Sequence, residues 1–271
     1  MANLQYILFW AALAAYTLAW AGSLAGVIFR KVKLDRVGLV CALTGLVLHA
    51  VSLTLRSVAI GHLPLFGTYE NSQVCAWFIA LFTIIIYLKY SGLKFIGALT
   101  HLWVVALMLW SLNFNRKMIP LTISEQSLWV DFHVLFAWLA FGSLFAAWGL
   151  ALLFLLQPRQ RFRLAGDAAE LAELQFRFLT FGYIVYTVMI ALGAIYSFLL
   201  FGQWWQWDIV ETLSLVTWLL YGLIIHIFLF YPRRLVLAAW LLLVAPLGIL
   251  LSYLGLSALG VQTFHNFDLP F

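Results

Sequence analysis

The chain has 271 residues, of which 65% are hydrophobic and only 9% are charged. Its mean hydropathy of +1.03 lies far above the range of soluble globular proteins. The composition therefore predicts an integral membrane protein whose surroundings are the lipid bilayer. The net charge of +5 is interpreted as a signal of membrane topology, and nucleic acid is excluded as a partner.

Long apolar runs recur along the whole chain. A run of about 20 residues is the length that crosses a hydrocarbon core of about 30 Å. Runs of this kind predict eight transmembrane helices, near residues 5–28, 37–58, 72–90, 94–112, 129–157, 176–200, 211–231 and 235–257. Continuous runs favour helices over the short alternating strands of a barrel. We expect an all-α polytopic bundle that forms a single membrane domain, residues 1–271.

The basic residues predict the orientation of the bundle, because short cytoplasmic loops retain Lys and Arg. Most of them fall in loops on one side, namely Arg30, Lys31, Lys33, Arg36, Lys89, Lys94, Arg159, Arg161, Arg163, Arg177, Arg233 and Arg234. Arg56, Arg116 and Lys117 are left for the other side. This asymmetry predicts a protein of the cytoplasmic membrane with both termini on the outer, periplasmic side.

The segment Gly-Gln-Trp-Trp-Gln-Trp-Asp, residues 202–208, precedes the seventh predicted helix on the outer side. Tryptophan is common wherever a protein meets the membrane interface, but three tryptophans within four positions indicate more than an aromatic belt. Indole faces stack on flat aromatic ligands, and neutral imidazoles from outer histidines would bind a metal at the centre of such a ligand. Asp208 and Glu211 fall in the first turn of the helix, where we expect capping rather than direct chemistry.

The region from Gly202 to His226 resembles the tryptophan-rich WWD signature of the haem-handling membrane proteins of cytochrome c assembly. The resemblance is closest to the CcsA or ResC type of subunit of the system II synthase. The matching residues are Gly202, Trp204, Trp205, Trp207, Asp208, Glu211, Thr212, Ser214, Leu215, Thr217, Trp218, Leu219, Tyr221 and His226. Further matching segments are Gly61-His62-Leu63-Pro64, Tyr69-Glu70, Leu128-Trp129, Phe132-His133-Val134 and the terminal segment from Gly260 to His265.

The resemblance implies a function in cytochrome c biogenesis. Haem b would be moved or held across the membrane and presented on the outer WWD loop, residues 202–212, for covalent attachment to the CxxCH motif of apocytochrome c. It also implies a place in a cytochrome c haem lyase complex. The expected partners are haem, apocytochrome c and a second membrane subunit of the CcsB or ResB type with a periplasmic domain.

The same resemblance implies haem ligands. His133 and His265 would be the axial ligands of the outer haem, and His226 would hold haem within the membrane. His49 is a candidate second ligand to His226, although the Cα heights of the two differ by roughly 10 Å in upright helices. A ligand from a partner subunit is the alternative. Arg56 would pair with a haem propionate or with Glu70.

Departures from the family pattern keep other functions open. Ile209 and Val210 replace the usual Pro-Lys that follows the Trp-Asp, and Leu213 stands where a tryptophan is usual. One alternative is a regulator or scaffold of the HemX type that does not attach haem. Another is a b-type electron-transfer subunit of a respiratory complex, which would need histidines paired at equal depth.

Overall fold

The computed structural model of the protein describes residues 2–90, 93, 95–114, 116, 121, 125–156 and 167–252. Throughout these residues the regular structure is helical. The helices are α1 (Ala2–Ile28), α2 (Val32–Ile60), α3 (Thr68–Lys89), α4 (Ile96–Ser111), α5 (Leu128–Leu156), α6 (Ala168–Phe201), α7 (Ile209–Phe230), α8 (Leu235–Val244) and α9 (Pro246–Leu250), with a 3₁₀ turn at Pro232–Arg234.

The all-α polytopic bundle is confirmed, and α6 begins at Ala168, eight residues before the predicted start at 176. The fourth and the last predicted spans also differ from the structure. Seven helical segments of the described chain are long and apolar enough to cross a membrane. The fourth predicted span, 94–112, is a helix of 16 residues, which covers only about 24 Å at 1.5 Å per residue. The last span divides into α8 and α9 because Pro246 has no backbone N–H to continue the helical hydrogen bonds.

The chain forms two compact units, so the single domain of residues 1–271 stays a prediction. The first unit contains Met1–Ile119 and Leu156–Leu171, and the second contains Pro120–Leu155 and Ala172–Phe271.

Small residues allow α1 and α2 of the first unit to pack closely. A Cβ atom at Gly22 would lie 3.0 Å from the Cα atom of Gly38, and one at Gly26 would lie 3.0 Å from the Asp35 side chain. Gly22 and Gly26 are four residues apart on one face of α1, the spacing by which helix backbones approach in membranes. The two helices therefore make contact through their backbones.

Hydrogen bonds between helices organise the second unit. The hydroxyl of Ser143 on α5 donates to the carbonyl oxygen of Phe178 on α6, over 2.7 Å. From α6, the Tyr186 hydroxyl donates to the carbonyl oxygen of Ser214 on α7, over 3.1 Å. Within hydrocarbon such bonds satisfy polar groups that water cannot reach. They connect α5, α6 and α7 in series.

Candidate functional site

The tryptophan-rich loop begins where α6 ends. Gly202 has a φ of 73°, and its N–H donates to the carbonyl oxygen of Phe198 over 2.8 Å. This left-handed conformation is the usual helix terminator, and glycine adopts it without a steric penalty. Trp207 also has a positive φ, 56°, which is uncommon for a residue with a Cβ atom and persists only when the surroundings impose it.

Side-chain hydrogen bonds fix the loop to α6 and α7. The Ser197 hydroxyl donates to the carbonyl oxygen of Gln203 over 2.9 Å, and the Gln206 amide group donates to the Ser197 hydroxyl over 3.3 Å. The backbone N–H of Gln206 donates to Oε2 of Glu211 over 2.7 Å. The loop is thus attached on both sides, and its unusual backbone is held in place.

Asp208 caps α7, as the sequence predicted. Its backbone is extended, and its Oδ1 accepts a hydrogen bond from the N–H of Glu211 over 2.7 Å. An aspartate at this position satisfies an N–H that has no partner within the helix. The carboxylates of Asp208 and Glu211 therefore both stabilise the junction between the loop and α7.

We expect Asp208→Ala to increase hydrogen exchange at the Glu211 amide by about 5-fold, because a lost cap costs about 1 kcal/mol. Exchange measured by mass spectrometry on the purified protein tests this. Asp208→Asn retains a capping oxygen and should exchange nearly as the wild type does. Equal acceleration in both variants would show that charge, not capping, holds the junction.

The three indoles of the loop have different environments. Trp204 stacks on Phe198, with ring centroids 4.4 Å apart and planes at 13°. Trp205 and Trp207 meet edge to face, at 6.2 Å and 76°. Trp204 and Trp207 are 57% and 71% exposed, respectively. The indoles of Trp204 and Trp207 therefore both present exposed surface. The Trp205 Nε1 atom is buried and has no hydrogen-bond partner among the described residues.

His133 on α5 lies against the last turns of α6, which precede the tryptophan-rich loop. Its Nδ1 lies 2.9 Å from the carbonyl oxygen of Met189, and a Cβ atom at Gly193 would lie 2.8 Å from both Nδ1 and Cε1 of the ring. A carbonyl oxygen only accepts, so Nδ1 carries the proton and the neutral ring has its lone pair on Nε2. Metal-binding histidines are commonly oriented by such a hydrogen bond.

His226 lies on an exposed face of α7. Its ring contacts the ring of Phe230, with centroids 4.4 Å apart, and that of Tyr231, with centroids 6.1 Å apart. His226 belongs to the second unit and His49 to the first, and the pairing of these two histidines stays a prediction. His265 lies outside the described residues.

His49 and Arg56 are both buried in the first unit. Nε2 of His49 lies 3.0 Å from Oε1 of Gln73. Arg56 donates to Oε1 of Glu70, through Nε over 3.0 Å and also through Nη2, and its guanidinium lies 5.3 Å from the centre of the Tyr69 ring. Two partners were expected for Arg56, a haem propionate or Glu70, and in the structure Arg56 contacts Glu70. Within the described residues no group of three or more His, Cys, Asp or Glu side chains is arranged to hold a metal ion.

Sequence reasoning missed the residues that position His133 and the loop. Met189 contributes a backbone carbonyl, and Gly193 contributes the absence of a side chain. Ser197 lies one turn further along α6 and holds the loop. These three residues recur every four positions, so they share one face of α6. The four-residue spacing is visible in the sequence, but the contacts of these residues with His133 and with the loop are not.

The fold and the loop define a polytopic helical membrane protein with an aromatic site beside one membrane-spanning helix. The family model of the cytochrome C assembly protein matches residues 65–265, and the chain belongs to this family. It therefore has a role in cytochrome c maturation.

Individual relatives agree with this assignment. The cytochrome c biogenesis protein CcsA of Guillardia theta is 27% identical over 230 residues, which cover 74% of this chain and 76% of the relative. The CcsA protein of Prochlorococcus marinus strain AS9601 is 25% identical over 266 residues, covering 87% and 86%. Among solved structures, the cytochrome c haem lyase CcmF matches with a TM-score of 0.67 at 16% identity. This match covers 96% of the present chain but only 50% of CcmF, and at this identity it shows the fold alone.

Proposed function

We propose that the chain binds haem b beside the tryptophan-rich loop of the second unit and presents it for covalent attachment to apocytochrome c. One observation carries the proposal: a single face of α6 holds both the histidine and the loop. Met189 and Gly193 contact His133, and Ser197, one turn further, binds the loop. Gly193 and Ser197 are one helical turn apart, about 5.4 Å. This short spacing suits a single porphyrin bound by His133 and by the loop.

The residues of the loop fit a porphyrin. The exposed faces of Trp204 and Trp207 offer stacking surfaces for an aromatic macrocycle. The buried Nε1–H of Trp205, which lacks a partner among the described residues, would donate to a polar substituent such as a propionate. Stacking and one directed donor are the contacts that orient a mostly apolar ligand.

His133 and His265 are the proposed axial ligands. The neutral tautomer of His133, with its lone pair on Nε2, is the form that binds iron. The haem supplies the vinyl groups to which the cysteine thiols of the CxxCH motif add. The chain itself binds and orients the substrate, and its histidines control the redox state of the iron.

We further propose that the loop faces the outer side of the cytoplasmic membrane, with both termini on that side. The distribution of Lys and Arg supports this orientation. His226, exposed on α7, would bind haem within the membrane, with its second ligand from a subunit of the CcsB or ResB type. An ionisable residue exposed along a membrane-spanning helix is costly unless it has a function.

Loss and chemical rescue of cytochrome c maturation test the proposal. In a strain that lacks the chain, we expect His133→Gly to reduce covalent haem in c-type cytochromes by at least about 10-fold. Imidazole in the medium should restore part of it, because it can occupy the vacated position and bind iron. Haem staining of membrane extracts measures both effects. Full maturation with His133→Gly would contradict the proposal.

A regulator of the HemX type is the second candidate, favoured by the departures at Ile209, Val210 and Leu213. This candidate predicts unchanged haem attachment and altered haem levels when the chain is deleted. The staining experiment therefore separates the two functions.

A further inference from the structure

The first unit carries a dense positive charge where α1 is followed by α2. Residues 30–36, Arg-Lys-Val-Lys-Leu-Asp-Arg, include four basic residues and one acid, a net charge of +3. The basic residues are all exposed, namely Arg30, Lys31, Lys33 and Arg36. The acid, Asp35, is only 5% exposed. The proposed haem site of the second unit uses none of these residues.

This basic segment begins between two membrane-spanning helices and therefore lies at a membrane surface. The first of the two spans ends at Ile28 and the second begins at Val32. Phe29 and Val32 are 64% and 55% exposed, so large apolar side chains are interleaved with the basic ones. Apolar side chains of this kind contact lipid acyl chains, while neighbouring Lys and Arg side chains reach the headgroups. The segment thus offers both kinds of contact that a phospholipid requires.

The backbone concentrates these basic residues in a small area. Arg30 has a φ of 54°, and the N–H of Lys31 donates to the carbonyl oxygen of Gly26 over 3.0 Å. This tight reversal, with the close approach of Gly22 to Gly38, directs α2 back along α1. The left-handed conformation is usual for glycine and carries a steric penalty for arginine. A residue held in such a conformation suggests a function for its side chain.

The end of α3 adds a fifth basic residue. The Tyr87 hydroxyl donates to the carbonyl oxygen of Asp35 over 2.8 Å, so the last turns of α3 lie beside the first turn of α2. Lys89, two residues further, is exposed, and its Nζ atom lies 5.7 Å from the centre of the Tyr90 ring. Lysine and tyrosine at the end of a membrane-spanning helix are typical of the headgroup level. We use the term cationic surface for Arg30, Lys31, Lys33, Arg36 and Lys89.

We propose that the cationic surface binds the phosphate group of an anionic phospholipid, whose acyl chains contact Phe29 and Val32. Phosphate oxygens accept charge-assisted hydrogen bonds from Arg and Lys side chains. Each basic residue near an anionic membrane surface strengthens binding by about 5-fold. Basic residues that only determine topology act during insertion and need no bound lipid afterwards. Selective occupancy in the assembled protein therefore distinguishes the two roles, and it does not depend on haem.

Photo-crosslinking of the wild-type protein in lipid vesicles tests the site. Phosphatidylglycerol and phosphatidylcholine with the same diazirine-bearing acyl chain would be used in parallel, and the labelled peptides identified by mass spectrometry. We expect phosphatidylglycerol to label residues 28–37 at least about 5-fold more than phosphatidylcholine does. Excess inorganic phosphate should leave this preference unchanged. Equal labelling by the two lipids, or a preference removed by inorganic phosphate, would overturn the proposal, the latter by indicating a site for free anions.

Arg30→Gly separates lipid binding from folding. Glycine adopts the positive φ of residue 30 without a steric penalty, so the turn is retained while one positive charge is lost. We expect this variant to unfold as cooperatively as the wild type and to lose about 5-fold in its preference for phosphatidylglycerol. Adding Lys31→Gln and Lys33→Gln should abolish the preference.

Arg177→Gln is the matched control for the loss of one charge. Arg177 is 60% exposed, lies in the second unit and already pairs with Glu173. This variant should label residues 28–37 as the wild type does. An undiminished preference after the three substitutions at residues 30, 31 and 33, or an equal loss with Arg177→Gln, would overturn the proposed site.

Discussion

Gly193→Ala is expected to lower haem occupancy, or shift the haem spectrum, as strongly as substitution of His133 does. The added Cβ atom would lie 2.8 Å from Nδ1 and Cε1 of His133, closer than carbon atoms approach in proteins. The imidazole must move, and its hydrogen bond to Met189 must lengthen or break. Partners that orient a ligating histidine typically account for about 10-fold to 100-fold in metal affinity. Haem content and the visible spectrum of the purified variant measure the effect.

The chain offers a matched control on the same helix. A Cβ atom at Gly182 would also lie 2.8 Å from a side chain, but from that of Leu144. Gly182→Ala therefore introduces an equal steric conflict without moving His133. We expect Gly182→Ala to retain haem with the wild-type spectrum, whatever it does to stability. Equal loss of haem in both variants would mean that Gly193 acts through general packing and not through His133.

Glu70→Gln is expected to destabilise the protein by about 3–5 kcal/mol, because it leaves the Arg56 guanidinium buried without its carboxylate. The side chains of Arg56 and Glu70 are buried, at 2% and 8% exposed, so water would solvate the remaining guanidinium only weakly. Unfolding of the purified protein in detergent measures the loss. Replacing the pair together, as Arg56→Met with Glu70→Leu, should recover most of the stability, since apolar residues fill the same volume without an unpaired charge.

The exposed pair of Arg177 and Glu173 is the control for this effect. Its side chains are 60% and 55% exposed, and Nε of Arg177 lies 2.7 Å from Oε1 of Glu173. Glu173→Gln should therefore change stability by less than about 1 kcal/mol. A similarly small effect of Glu70→Gln would show that Arg56 does not depend on Glu70.

The sequence predicted the helices because a single physical requirement determines them. A segment that crosses hydrocarbon must be long, apolar and internally hydrogen-bonded, and that requirement is local. Capping by Asp208 was predictable for the same reason, since the cap and its partner, Glu211, are three residues apart. Pro246 is present in the predicted span 235–257, but that span was predicted from hydropathy, which does not depend on whether a residue has a backbone N–H.

The contacts of the candidate site were not predictable because they join distant segments. Nothing near His133 identifies Met189 and Gly193 as its neighbours, 56 residues or more along the chain. The sequence likewise identified His49 as polar and within the membrane, but its contacts with Gln73 and Tyr16 depend on how three helices pack. The positive φ of Trp207 is imposed by the loop as a whole, since tryptophan does not favour it.

A visible spectrum tests the central claim most directly. The detergent-solubilised wild-type protein, His133→Ala and His265→Ala would be compared by reduced-minus-oxidised difference spectra, with haem quantified as the pyridine haemochrome. We expect the wild type to carry b haem with a spectrum of two imidazole ligands, and each substitution to remove or shift it. A protein that purifies without haem, or identical spectra in all three, would contradict the proposed site and favour the HemX type of regulator.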